Sequence, residues 1–142
     1  LSNDLKKPTW ILYAEDDDDD YLLVCDTFKE AGFTGALTRV KDGQELMTVL
    51  SDGKAWPSLI LLDLNMPKKD GREALKEIKS HSRLRRIPVI VLTTSRAAED
   101  VFFCYEAGAN SFVRKPIHFD MFVNIARLIN EYWLETSILP DH

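Results

Sequence analysis

The stretch Leu59-Ile60-Leu61-Leu62-Asp63-Leu64-Asn65-Met66-Pro67 decides the fold. Four apolar residues in a row, with no alternation, predict a strand covered on both faces, as in the interior of a parallel sheet. The run stops at an acid, Asp63, and a turn containing Pro67 follows. In open α/β sheets ligands gather beyond the carboxyl ends of strands, which makes Asp63 a candidate for chemistry. An Asp that only caps or turns the chain is the other reading, and this stretch alone leaves both open.

To either side the chain alternates strand and helix signals. Trp10 to Ala14 is a short apolar strand running into Glu15 and Asp16, and Asp16 to Asp20 are five aspartates in a row. Such a run reads either as a solvated acidic patch or as the approach to a helix, whose dipole favours acids at its first turn. The helix is expected from Tyr21 to Ala31, with Leu23, Thr27, Phe28 and Ala31 inward and a stop at Gly32. A weaker strand, Ala36 to Val40, precedes a short helix, Gln44 to Leu50, with Leu46, Met47 and Leu50 at helical spacing. After the central strand a third helix, Arg72 to Lys79, turns Ala74, Leu75 and Ile78 inward. Arg83, Arg85 and Arg86 read as a solvated basic loop.

Val89 to Leu92 is a second continuous apolar strand and delivers Thr93. A fourth helix follows from Ala97 to Ala107, with Val101, Cys104 and Tyr105 toward the sheet and Gly108 as its stop. The fifth strand, Ser111 to Arg114, delivers Lys115 and Pro116. The last helix, Phe119 to Leu134, carries Phe122, Ile125, Ala126, Ile129 and Trp133 along one face. Repeated βα units with short connections and right-handed crossovers predict an α/β fold: a doubly wound five-stranded parallel sheet, order 2-1-3-4-5, with helices on both faces.

Composition narrows the function classes. The chain has 142 residues, 45% apolar and 29% charged, with a net charge of -5. That suits one domain with a real core and argues against binding a nucleic-acid backbone. No apolar run approaches the roughly 18 residues of a membrane helix, and no secretory leader begins the chain, so a cytoplasmic protein is expected. Cys25 and Cys104 lack metal spacing and read as small apolar residues more readily than as a bridge. His81, His118 and His142 sit in connections or at the terminus and carry no assigned role.

The drawn fold brings four strand ends to one edge, with Glu15 and Asp16, Asp63, Thr93 and Lys115. Carboxylates packed together repel unless a cation sits among them, and an all-oxygen set suits Mg²⁺ rather than zinc. A free oxygen of Asp63 could then attack a phosphoryl group, giving an acyl phosphate, with Lys115 and Thr93 offsetting the charge. A hydrolase with an Asp nucleophile would want an ionisable acid two residues on, where Asn65 stands. A flavin or nucleotide site would want a Gly- or Ser/Thr-rich loop after the first strand, where an anion would instead meet aspartates.

These motifs, in this order and spacing from Trp10 to about Leu134, resemble the receiver domains of two-component response regulators, which have the flavodoxin-like and CheY-like fold. The resemblance implies that Asp63 is the phosphoacceptor for a histidine kinase. It implies too that Asp16, Asp63 and the Asn65 backbone carbonyl bind Mg²⁺, with Glu15 helping through water. Asp17 to Asp20 would lie beyond the ion's first shell, and Lys115-Pro116 would be a cis peptide. Thr93 and the aromatic position, Phe112, would form the switch; Phe112 stands where the family often has Tyr, so transmission would rest on packing alone. Such a protein is a signalling phosphoacceptor that promotes its own phosphorylation and dephosphorylation, not an enzyme acting on other substrates. Residues 8 to 135 are the receiver and 136 to 142 a short extension, so a stand-alone receiver acting on a downstream protein target is expected. Pro67 to Glu73, Leu92-Thr93-Thr94-Ser95, Tyr132 to Thr136 and Ile138-Leu139-Pro140 also resemble the small regulators that serve phytochrome-type kinases. A homodimer through the fourth helix, fifth strand and last helix is the expected association. The rival reading is a phosphorylation-independent adaptor that keeps the receiver shape.

Overall fold

An apolar strand without alternation must be covered twice, and the central strand is. In the computed structural model, which describes residues 8–140, β3 (Leu59–Leu62) has all four side chains at 0% exposure. Ile60 and Leu62 point into one hydrophobic cluster and Leu59 and Leu61 into another, as the two-residue period of a strand requires. Around it lie β1 (Trp10–Ala14), β2 (Ala36–Val40), β4 (Val89–Thr93) and β5 (Ser111–Arg114). All pairs are parallel, in the order β2-β1-β3-β4-β5, as the sequence predicts.

The helices are α1 (Asp18–Glu30), α2 (Gly43–Ser51), α3 (Gly71–Ser80), α4 (Ala98–Ala107) and α5 (Phe119–Ile129). α1 and α5 cover the face of Leu59 and Leu61, while α2, α3 and α4 cover the face of Ile60 and Leu62. Capping aspartates start three of them. Asp17 accepts from the Asp20 N–H at 2.8 Å, Asp42 from Glu45 at 2.8 Å, and Asp70 from Arg72 at 2.8 Å and Glu73 at 3.2 Å. Among the described residues no helix is long and apolar enough to cross a membrane.

Three sequence expectations change. The acid run is neither a loose patch nor a mere approach, because α1 starts at Asp18 and Asp18, Asp19 and Asp20 form its first turn. In the resulting packing Val24 is buried with Thr27 and Phe28, and Leu23 is exposed. On α4 only Cys104 is fully buried; Tyr105 is exposed, and its hydroxyl accepts the Phe112 N–H at 3.1 Å. After Ile129 the last helix widens into a π-helical segment, Asn130–Thr136. A five-residue repeat there buries Leu134 after Ile129, so Trp133 is only partly covered.

Both cysteines are free, and burial pushes the Cys104 thiol up to about 11. His81 caps the turn Leu84–Arg86, its Nδ1 accepting the N–H groups of Arg83 and Leu84 at 3.1 Å each. His118 is the exposed residue before α5, and His142 lies outside the described residues. Arg85 and Arg86 are exposed, and the Arg83 guanidinium lies over the Trp56 ring, 4.9 Å from its centroid.

Candidate functional site

The sheet carries its ladder one residue past the strand ends, and those residues build the site. The Glu15 N–H donates to Val40 O at 2.9 Å, the Asp63 N–H to Ala14 O at 3.1 Å, and the Lys115 N–H to Thr93 O at 2.8 Å. Each backbone is thus held by its neighbouring strand while its side chain leaves the sheet edge. Glycine completes the support below Asp63. A Cβ on Gly71 would stand 2.2 Å from Asp63 O and 2.6 Å from Leu64 Cα, so only glycine lets α3 begin so close, and its N–H donates to Leu64 O at 2.9 Å.

Lys115 joins the acids. Its side chain is 6% exposed, and Nζ donates to Glu15 Oε1 at 2.6 Å, Asp20 Oδ2 at 2.9 Å and Asp63 Oδ2 at 3.3 Å. Burial by itself would lower this ammonium, but the bonds to Glu15 and Asp20 and the charge of Asp63 outweigh it and hold it above its ordinary value. Glu15, 1% exposed, also takes the Tyr13 hydroxyl at 2.9 Å and the Asp17 N–H at 3.2 Å. Its carboxyl lies above the usual range because burial, helped by the Asp63 charge, outweighs the lowering by Lys115. Burial, then the Glu15 charge, likewise raises the Tyr13 phenol.

Oxygen atoms of Glu15, Asp16 and Asp63 all lie within 4.8 Å of one another. These hard oxygen donors, with Asp20 beside them, carry more negative charge than Lys115 neutralises, which fits a divalent cation of the Mg²⁺ or Mn²⁺ kind. Asn65 is exposed, and its N–H points at Asp63 Oδ1 from 3.4 Å. Thr93 is fully buried, with Oγ1 accepting the Ser95 N–H at 3.3 Å. Phe112, half-buried, packs against the cluster under α2, α3 and α4.

The expected site residues Glu15, Asp16, Asp63 and Lys115 therefore meet, with Thr93 at the adjoining strand end. The Lys115-Pro116 peptide is not cis, since no cis bond occurs among the described residues; the trans form is the intrinsically favoured one before proline. Sequence reasoning missed three contributors. Asp20 lies in the first turn of α1, where its carboxylate reaches back to Lys115 at the strand edge. Tyr13 shares a strand face with Glu15 by the two-residue period. Arg39, opposite Tyr13 in the register, donates from Nε to Glu15 O at 2.8 Å and from a terminal nitrogen to Asp18 at 2.7 Å.

Comparison with known proteins places this geometry. Residues 11–127 match the family described as Response regulator receiver domain. The chain is 39% identical to Response regulator Rcp1 of Synechocystis sp., with 99% of each chain covered. It is 38% identical to the Probable methanogenesis regulatory protein FilR2 of Methanothrix harundinacea, with 94% of this chain and 88% of that one covered. Among solved structures, the phosphorylated cyanobacterial phytochrome response regulator RcpA superposes with a TM-score of 0.88 at 38% identity, covering 95% of this chain and 100% of that one. The Mn²⁺-bound form of Rcp1 gives 0.86 at 40% identity, covering 94% and 100%.

Proposed function

Because the chain belongs to the response regulator receiver domain family, we propose that it accepts a phosphoryl group from a histidine kinase onto Asp63 and signals to a downstream protein. The observation that carries this reading is the meeting of Asp63, two further carboxylates and the Lys115 ammonium at one sheet edge. One Asp63 oxygen attacks the phosphorus of a phosphohistidine. A P–O bond forms as the P–N bond breaks, and the departing imidazole takes its proton from solvent. Lys115, already beside Asp63 Oδ2, offsets charge on the transferring group, and the Thr93 hydroxyl donates to a phosphoryl oxygen once it is in place. Asp16, Asp63 and the Asn65 backbone carbonyl would hold Mg²⁺, with Glu15 acting through coordinated water; when bound, the ion neutralises phosphoryl charge.

Residues 8 to 135 form the receiver in this reading and 136 to 142 an extension, and the setting is cytoplasmic. The likeness to RcpA, a cyanobacterial phytochrome response regulator, supports a phytochrome-type kinase as donor. Self-association would use α4, β5 and α5 with its π-helical continuation, where Phe102, Tyr105, Met121, Leu128 and Tyr132 are exposed. Sedimentation with and without a phosphoryl mimic tests that face, and a monomer in both conditions rejects it. The phosphotransfer reading is tested with acetyl phosphate. A covalent phosphoryl adduct should form with Mg²⁺ and disappear in EDTA, whereas an absence of adduct in both conditions returns the adaptor reading.

A further inference from the structure

Between Thr93 and α4 lie only Thr94 to Ala97, and Ser95 is gripped at each of its polar groups. Its N–H donates to Thr93 Oγ1 at 3.3 Å, and its hydroxyl donates to Asp100 Oδ2 at 2.6 Å and accepts the Ala97 N–H at 3.3 Å. Its carbonyl accepts from Arg114 Nε at 3.2 Å. Asp100 is held in turn by a two-pronged pair from Arg72, Nε to Oδ1 and a terminal nitrogen to Oδ2, both at 2.8 Å. Arg72 is the second residue of α3, next to the glycine that sits against Asp63 O. A chain of contacts thus runs from Asp63 through the start of α3, across to α4 and back through Ser95 to Thr93.

We propose that Arg72 and Asp100 are positioning residues that aim the Thr93 hydroxyl at the phosphoryl group on Asp63. This rests on the phosphoacceptor reading above. A hydroxyl has one proton and two lone pairs. With the Ser95 N–H on one lone pair, the Thr93 proton is free to donate, and an accepted bond makes it a better donor. The Ser95 hydroxyl, the group nearest that N–H, is anchored on a carboxylate that Arg72 holds still, and this anchor sets where the N–H points. The Arg72 bonds, then the Ser95 bond, keep Asp100 below the usual carboxylate range, so it is an acceptor at neutral pH. The rest of α4 supplies little grip, since Cys104 alone of its ten residues is fully buried. A plain helix-to-helix ion pair, its side chains 30% and 15% exposed, would do no more than tie α3 to α4.

The full chain with Mg²⁺ and beryllium fluoride as phosphoryl mimic, followed by calorimetry, separates these roles. Arg72→Ala and Asp100→Ala should each weaken mimic binding about five- to tenfold, the scale of one net hydrogen bond, and the double variant no more than the worse single one. The reversed pair, Arg72→Asp with Asp100→Arg, should recover the urea midpoint but not the affinity, because an arginine cannot accept the Ser95 hydroxyl. Affinities within twofold of the parent, or a reversed pair that restores both readouts, overturn the proposal. Hydrogen exchange at the amides of Ser95, Arg96 and Ala97, measured without donor or mimic, should speed up in both single variants. Unchanged exchange overturns the clasp even if Asp63 is phosphorylated; a parent that neither binds the mimic nor takes label, with exchange altered as expected, overturns the phosphoacceptor reading instead.

Discussion

Replacing Lys115 by Met deletes the ammonium at the centre of the site while keeping most of its packing volume. Glu15 and Asp63, 1% and 6% exposed, then face each other without a countercharge. Breaking a buried charge pair costs about 3 to 5 kcal/mol. Two features place this case near the lower end. Glu15 keeps the Tyr13 hydroxyl and the Asp17 N–H, and it can relieve the repulsion by taking up a proton. About 3 kcal/mol is therefore expected at pH 8 in EDTA, and with a urea dependence of about 2 kcal/mol per molar the midpoint should fall by roughly 1.5 M. The pH dependence has a definite sign. Glu15 already lies above the usual carboxylate range, and Lys115 is what lowers it, so the variant pushes it further up. A carboxyl raised in the folded state gives stability that is present below its unfolded value and lost as pH rises through its folded value. The deficit of the variant should thus shrink between pH 8 and pH 5, and added Mg²⁺ should shrink it too. A midpoint shift under about 0.3 M, a fifth of that derived from the pair energy, would refute the reasoning, as would a deficit that grows toward pH 5.

Other perturbations read different parts of the structure. Gly71→Ala should destabilise by about 2 kcal/mol in urea melts, since its Cβ meets backbone rather than a side chain that can move away, and should slow labelling of the adjoining Asp63. Asp17→Ala removes the cap on Asp20 N and should cost about 1 kcal/mol, with hydrogen exchange rising first in the opening turn of α1. Phe112→Ala leaves Asp63 untouched while removing a half-buried ring from the α4 side of the core; labelling should persist and binding of the downstream target should weaken, and lost labelling would contradict a packing-only switch.

Much of this was legible because the sheet interior is apolar on both sides. Leu59 to Leu62 and Val89 to Leu92 have no alternation to misread, and the acids, Thr93 and Lys115 follow the strands directly. The strand order then came from crossover handedness. What stayed hidden depends on phase and distance. Five consecutive aspartates offer several capping positions, and only the Asp17 to Asp20 bond selects one, so the spacing points Leu23 inward where the fold buries Val24. On α4, Phe102, Phe103, Cys104 and Tyr105 offer apolar side chains in every direction, so period could not say that Tyr105 faces outward. The Asp20 to Lys115 and Arg72 to Asp100 pairs join residues 95 and 28 positions apart, and charge alone gives such pairs no register. The π-helical turn after Ile129 lies outside any 3.6-residue pattern.

The central claim is a phosphoryl group on one carboxylate. Peptide mapping by mass spectrometry after treatment with acetyl phosphate and Mg²⁺ tests it most directly. The label should fall on the peptide containing Asp63 and be absent from Asp63→Asn. Equal labelling of Asp63→Asn, or a label confined to another residue of the parent, would contradict it.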